Sequence, residues 1–344
     1  MGQDEREPGW AGTRVPAPPP EALIAWSAEF GTRFTLFVDT EEEFDWAAPL
    51  SRTAHATTAV AALAEGGRRF GERGIAVTYL ADWPIVADPR AVDILRALVA
   101  EQRASVGTQL HTWVNPPFDE ALTPANSFAC NLPPALEAAK LDALTGAIAA
   151  AFGAPPLAFR AGRYGIGPHT RPLLASRGYR LDTSVRARYD YSPAGGPDFS
   201  AIASHAYRCG PGDALIELPL TTVYTGALRS GGAALHRRLA SIPRGLGVAA
   251  RLHLLSRVAL TPEDMPLADA LEAIRVAVGE GCRVLTFSFH SPSLAPGHTP
   301  YVRDAADLAR FWAWWDAVLA LLDRLDVRPA SLDELIAADR KSVV

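Results

Sequence analysis

At 344 residues, with 49% hydrophobic and 21% charged side chains, the chain can bury the core of one large domain or of two smaller ones. A formal net charge of -5 and dispersed arginines give no compositional support for a nucleic-acid surface, and no window is apolar for long enough to span a bilayer. Cys130, Cys209 and Cys282 are far apart without a CxxC pair, which argues against a disulfide framework or zinc ribbon and suits a reducing compartment.

The N-terminus is polar and acidic and lacks the basic-then-apolar plan of an export signal, so a cytoplasmic location is expected. Residues 1–22 carry Pro16, Pro18, Pro19 and Pro20 and read as a flexible, extended arm ahead of one domain over 23–340. Phe34 to Val38 is an apolar strand that ends in Asp39, Glu41, Glu42, Glu43 and Asp45. His55 to Arg73 is helix-prone and Ile75 to Leu80 a second strand. Pro89 opens a helix with Val92, Leu95, Leu98 and Val99 at helical spacing. Ser105 to Leu110 reads as a third strand, ending at His111.

Leu136, Leu141, Leu144, Ile148 and Phe152 mark the next helix, and further strands are expected over Leu157–Arg160, Gly178–Asp182, Leu215–Leu218 and Arg283–Phe289. A long closing helix carries Leu308, Phe311, Trp315, Leu319 and Leu322. Residues 186–262 break the rhythm and read as loops with a helical insertion. Seven strands alternating with helices predict an α/β fold with a parallel sheet, best accommodated by a single β/α barrel domain.

Polar residues fall where the strands end: Asp39 and Glu41, His111 and Asn115, Arg160 and Arg163, Asp182, and His290. In a parallel barrel those ends share one face and would converge. A carboxylate, an imidazole and an amide oxygen make an open site for a divalent ion, with Glu41, His111 and Asn115 as candidates. Either arginine could pair with the acidic loop, and Asp182 could hold an arginine or His290. Trp46, Trp113 and Tyr164 sit beside these residues, where aromatic faces suit a sugar ring or simple packing. His55, His169, His205, His236, His253 and His298 read as structural.

Four segments in this order resemble the motifs of the polysaccharide deacetylase family, the NodB-homology group in carbohydrate esterase family four. They are Val38-Asp-Thr-Glu41, His111-Thr-Trp-Val-Asn115, Arg160-Ala-Gly-Arg-Tyr-Gly165 and Leu285-Thr-Phe-Ser-Phe-His290. The resemblance implies a distorted seven-stranded barrel and removal of acetyl groups from N-acetylated sugars with a bound ion, zinc or else cobalt, manganese or nickel. It also implies Asp39 as base, His290 as acid, and a carbohydrate as the partner molecule. Three features depart from the family pattern: Glu41 stands where an aspartate is usual, Asn115 where a second imidazole is usual, and the third motif carries an extra residue that leaves Arg160 and Arg163 both eligible. Rival readings are hydrolysis of another non-peptide C-N bond on the same scaffold, or a catalytically silent glycan-binding domain.

Overall fold

A computed structural model of the chain describes residues 12, 14–102 and 104–341. Its strands are β1 (Thr32–Thr40), β2 (Val77–Ala81), β3 (Ser105–Leu110), β4 (Ala158–Ala161), β5 (Leu181–Asp182), β6 (Tyr207–Cys209), β7 (Leu215–Glu217), β8 (Thr222–Thr225), β9 (Ser256–Ala259), β10 (Val284–His290) and β11 (Val327–Pro329). The helices are α1 (Leu63–Gly71), α2 (Trp83–Ala87), α3 (Pro89–Gln102), α4 (Pro134–Phe152), α5 (Thr170–Ser176), α6 (Gly232–Ala240), α7 (Gly245–Arg251), α8 (Leu267–Gly279), α9 (Ala305–Arg324) and α10 (Leu332–Lys341).

The sheet runs β10-β1-β2-β3-β4-β5-β7, all parallel, and these are the seven strands expected from the sequence. β6 adds antiparallel to β7, and β11 pairs with the start of β1. Between β7 and β10 the base of the β8-β9 hairpin spans the gap: Thr221 N donates to Thr286 O at 3.2 Å and Ser288 N to Leu260 O at 3.3 Å. The result is a distorted barrel.

Residues two apart on a strand share a face. Phe37, Leu80, Ala158, Leu181, Ile216 and Val284 form one buried cluster with Leu332, Leu335 and Ile336 of α10, which plugs one end of the barrel. The alternate residues Leu36, Val38, Tyr79, Leu285 and Phe287 pack outward with Leu63, Leu95, Ile274 and Trp315 on the surrounding helices. Two positions beyond the inward apolar layer come Asp39, Asp82, Arg160 and Thr183, so the same parity that fills the barrel delivers polar groups to its other end.

Three expectations are corrected. Asp182 follows the inward Leu181 and therefore faces out, where Arg171 Nε of α5 lies 3.8 Å away; Arg171 also meets Glu217 at 3.3 Å and the Tyr207 hydroxyl at 2.9 Å. Asp182 thus does hold an arginine, Arg171, but neither His290 nor the arginines of the site, Arg160 and Arg163. The described part of the proline-rich arm lies on the domain, with Val15 buried and Arg14 paired with Asp198, because an apolar side chain there finds an apolar surface; residues 1–11 and 13 lie outside the described residues. Segment 186–262 contains β6, β7, β8 and β9, and its α-helices are confined to 232–251.

Burial raises both Asp182 and Glu217 above the ordinary carboxylate range, with Arg171 acting against that rise. Arg171→Met should therefore lower unfolding free energy by about 3–5 kcal/mol, since it strands two buried acids without their cation. A raised carboxylate contributes least above its folded pKa, so urea melts should show a larger loss at pH 8 than at pH 5. Equal melts for both proteins would refute this role.

Candidate active site

Asp39 closes β1 at the open end of the barrel, 3% exposed. Arg160, on β4, is buried and points its guanidinium across the interior. Its Nη1 donates to Asp39 Oδ1 at 2.5 Å and to Ser288 Oγ at 2.5 Å, while Nε and Nη2 reach Thr183 O and Oγ1, each at 3.1 Å. Four bonds fix both the arginine and the carboxylate it holds. His290, at the end of β10, places Nε2 3.9 Å from Asp39 Oδ2.

The other nitrogen of His290 is held by Glu263, which sequence reading passed over. Glu263 Oε2 lies 2.7 Å from His290 Nδ1, and Oε1 accepts from His290 N at 3.1 Å and from Ser293 Oγ at 2.6 Å. Burial works against a charge on His290, yet the Glu263, Glu41 and Asp39 carboxylates outweigh it and raise the imidazole to about 10. The only hint in the sequence was Val258-Ala-Leu-Thr-Pro-Glu263, a short apolar run ending in an acid inside the supposed insertion.

His111 leaves β3 into a coiled segment in which Asn115 N donates to His111 O at 3.1 Å, so the two side chains start one turn apart. Lys140 of α4, fully buried, holds this loop by donating to Thr112 O, Asn115 O and Pro117 O at 2.6–2.9 Å. The Asn115 amide nitrogen donates to Pro116 O at 2.7 Å and Lys140 O at 2.9 Å. Only an NH2 can serve two carbonyls, which settles the amide's orientation and leaves Oδ1 buried without a partner.

The two faces of the His111 ring differ. Nδ1 lies 2.8 Å from Glu42 Oε2 and 3.6 Å from Asp82 Oδ2, whereas Nε2 faces Glu41 Oε2 at 3.5 Å. Glu42, Asp82 and His111 are close enough to surround a cation. However, Glu42 also accepts from Trp113 Nε1, and Asp82 from Glu42 N and Ile85 N, so these acids are spent on protein donors. Glu41 Oε1, by contrast, is buried with no partner, and Oε2 receives only a 3.3 Å bond from Gln109 Nε2. Burial raises Glu41 to about 8 and Glu42 to about 7, with Asp82 also pushed up. The Nε2 side is thus the side on which the under-satisfied Glu41 carboxylate lies.

Trp46 is 38% exposed, and its ring centroid lies 5.1 Å from that of His290. Tyr164 lies beside Arg160, 5.6 Å from ring centroid to guanidinium. Trp113 is a correction: it is buried, stacks on His111 at 4.3 Å and bonds Glu42, so it packs the site's wall and has no free face for a sugar. Arg163 is another. Its backbone φ of 54° turns it outward, Nη1 reaches Ser127 Oγ at 2.5 Å, and it lies over the Phe128 ring, leaving Asp39 to Arg160.

A histidine raised to about 10 contributes stability that is complete below its unfolded value and is lost as pH rises through 10. Glu263→Gln keeps an acceptor but removes the charge. Proton NMR should then show His290 titrating about one to three units lower than in the parent; an unmoved titration would mean that Glu263 does not govern the ring.

No protein-family model and no curated protein matches the sequence. Solved structures share its fold. A candidate glycoside hydrolase/deacetylase from Parabacteroides distasonis aligns with a TM-score of 0.56 at 12% identity, over 94% of this chain and 73% of that one. A probable polysaccharide deacetylase from Pseudomonas aeruginosa PAO1 aligns with a TM-score of 0.53 at 13% identity, over 92% of this chain and 93% of that one. At such identities the likeness is one of architecture: the chain has the distorted (β/α) barrel of the NodB-type deacetylases.

Proposed function

We propose that the chain is a metal-dependent hydrolase that removes acetyl groups from N-acetylated sugars of a polysaccharide or glycan precursor. The supporting observation is the division of labour at the barrel mouth. A carboxylate clamped by Arg160 and an imidazole charged by Glu263 stand 3.9 Å apart, beside Glu41, whose Oε1 has no protein partner.

The residues present fit a divalent ion. Glu41 Oε1 and Asn115 Oδ1 are buried oxygens without donors, and His111 turns Nε2 toward Glu41 while Glu42 and Asp82 hold its other nitrogen, the usual outer support of a ligating imidazole. Glu41, His111 and Asn115 would hold the ion; one nitrogen and two oxygens suit zinc and admit cobalt, manganese or nickel. When bound, such an ion polarises an acetyl carbonyl and acidifies water.

Asp39, oriented by Arg160, is placed to take a proton from the attacking water. His290, kept charged by Glu263, is placed to give one to the sugar nitrogen as the C-N bond breaks. Trp46 offers an aromatic face to the sugar ring, and Tyr164 stands next to Arg160. A cleft of about 750 Å³ opens beside Trp46, lined by Phe44, His55, His298 and Thr299, with room for more than the reacting sugar. His55 and His298, read as structural, thus border the approach.

Acetate release from acetylated glycans should disappear on chelation and return with added metal. His111→Ala should lose metal and turnover together, whereas Asp39→Asn should keep metal and lose about 100- to 10,000-fold in kcat. Full activity in both variants, or turnover indifferent to chelation, would overturn the assignment.

A further inference from the structure

Between Glu217 and Glu263 the chain has no acidic residue, yet it carries Arg229, Arg237, Arg238, Arg244, Arg251 and Arg257 in a protein of net charge -5. Most of that stretch is the excursion between β8 and β9. Helices α6 and α7 cover only a small cluster of Tyr224, Ala249 and Leu255. Turned outward are Leu228, Ile242, Val248 and Leu252, 46%, 50%, 55% and 61% exposed, the four most exposed large apolar side chains among the described residues.

The pattern is ordered along the helix. Val248, Arg251 and Leu252 are spaced i, i+3 and i+4, which puts them on one face at the end of α7, while Arg244 stands just ahead of the helix. Among the described residues, Arg229, Arg237, Arg238, Arg244 and Arg251 have no carboxylate partner. Scattered surface leucines need no explanation, but apolar tips interleaved with uncompensated arginines on one protrusion are the composition of a helix lying in a lipid interface.

We propose that the α6–α7 excursion is a peripheral membrane-binding surface that seats on lipid layers bearing anionic headgroups. The arginines meet headgroup phosphates while Ile242, Val248 and Leu252 enter the acyl boundary, and neither group alone is a strong anchor. A nucleic acid would use the arginines but leave those apolar tips in water, so lipid satisfies both features of the face. Among the described residues no helix is long and apolar enough to cross a membrane. The inference is independent of the proposed chemistry.

The test is co-sedimentation of the full chain with phosphatidylcholine vesicles and with vesicles containing about one-third phosphatidylglycerol. Strong pelleting is expected only with the anionic vesicles, weakened at about 0.5 M salt. Val248→Asp with Leu252→Asp, and separately Arg237→Glu with Arg238→Glu, should each reduce the bound fraction about tenfold with unchanged circular dichroism. Failure to pellet, binding indifferent to the apolar pair, or a solution dimer that buries Val248 and Leu252 would each overturn the proposal.

Discussion

The alternation of side chains along a β-strand is the constraint on which the site depends. Because Phe37, Leu80, Ala158 and Leu181 must face inward to fill the barrel, Asp39, Asp82, Arg160 and Thr183 reach its mouth without further choice. The same parity sends Asp182 and Glu217 outward to Arg171. A slip of one residue in β1, β4, β5 or β7 would exchange a core side chain for a charge. Specification of the core and placement of the chemistry are therefore one event.

That placement is electrostatically costly. Asp39, Glu41, Glu42, Asp82 and Glu263 crowd two imidazoles in a buried space, and Glu41 and Glu42 rise to about 8 and 7 mainly because water is excluded. Each acid but one has at least one oxygen firmly held: Asp39 by Arg160, Glu42 by Trp113 and His111, Asp82 by a helix start, Glu263 by His290 and Ser293. Glu41 is the exception, and an under-satisfied carboxylate facing an imidazole is where a cation relieves most repulsion. Glu41 and Asn115 each leave one buried side-chain oxygen without a donor, and Lys140 fixes the loop that carries the amide.

Much of this was legible in the sequence. The seven parallel strands, the closing helix, and Asp39, Glu41, His111, Arg160 and His290 at strand ends follow from apolar runs that stop at polar residues. Three kinds of information were hidden. Asp182 sits beside the inward Leu181 on a strand of two residues, too short to show which of the pair faces the core. The choice between Arg160 and Arg163 depended on the left-handed backbone at Arg163, which nothing in its neighbours announces. Glu42, Asp82, Lys140 and Glu263 act through residues distant in sequence, so their roles appear only once the chain is folded. Glu263 in particular was obscured because β8 and β9 are four residues each and lie among loops.

The proposed chemistry requires one ion on the Nε2 side of His111, held by oxygen and nitrogen atoms from the segments that follow β1 and β3. An anomalous-difference map from crystals grown with zinc or cobalt tests this most directly. The account predicts a single peak bounded by Glu41, His111 Nε2 and Asn115 Oδ1. A peak on the Nδ1 side, between Glu42 and Asp82, or no peak near His111 at all, would contradict it.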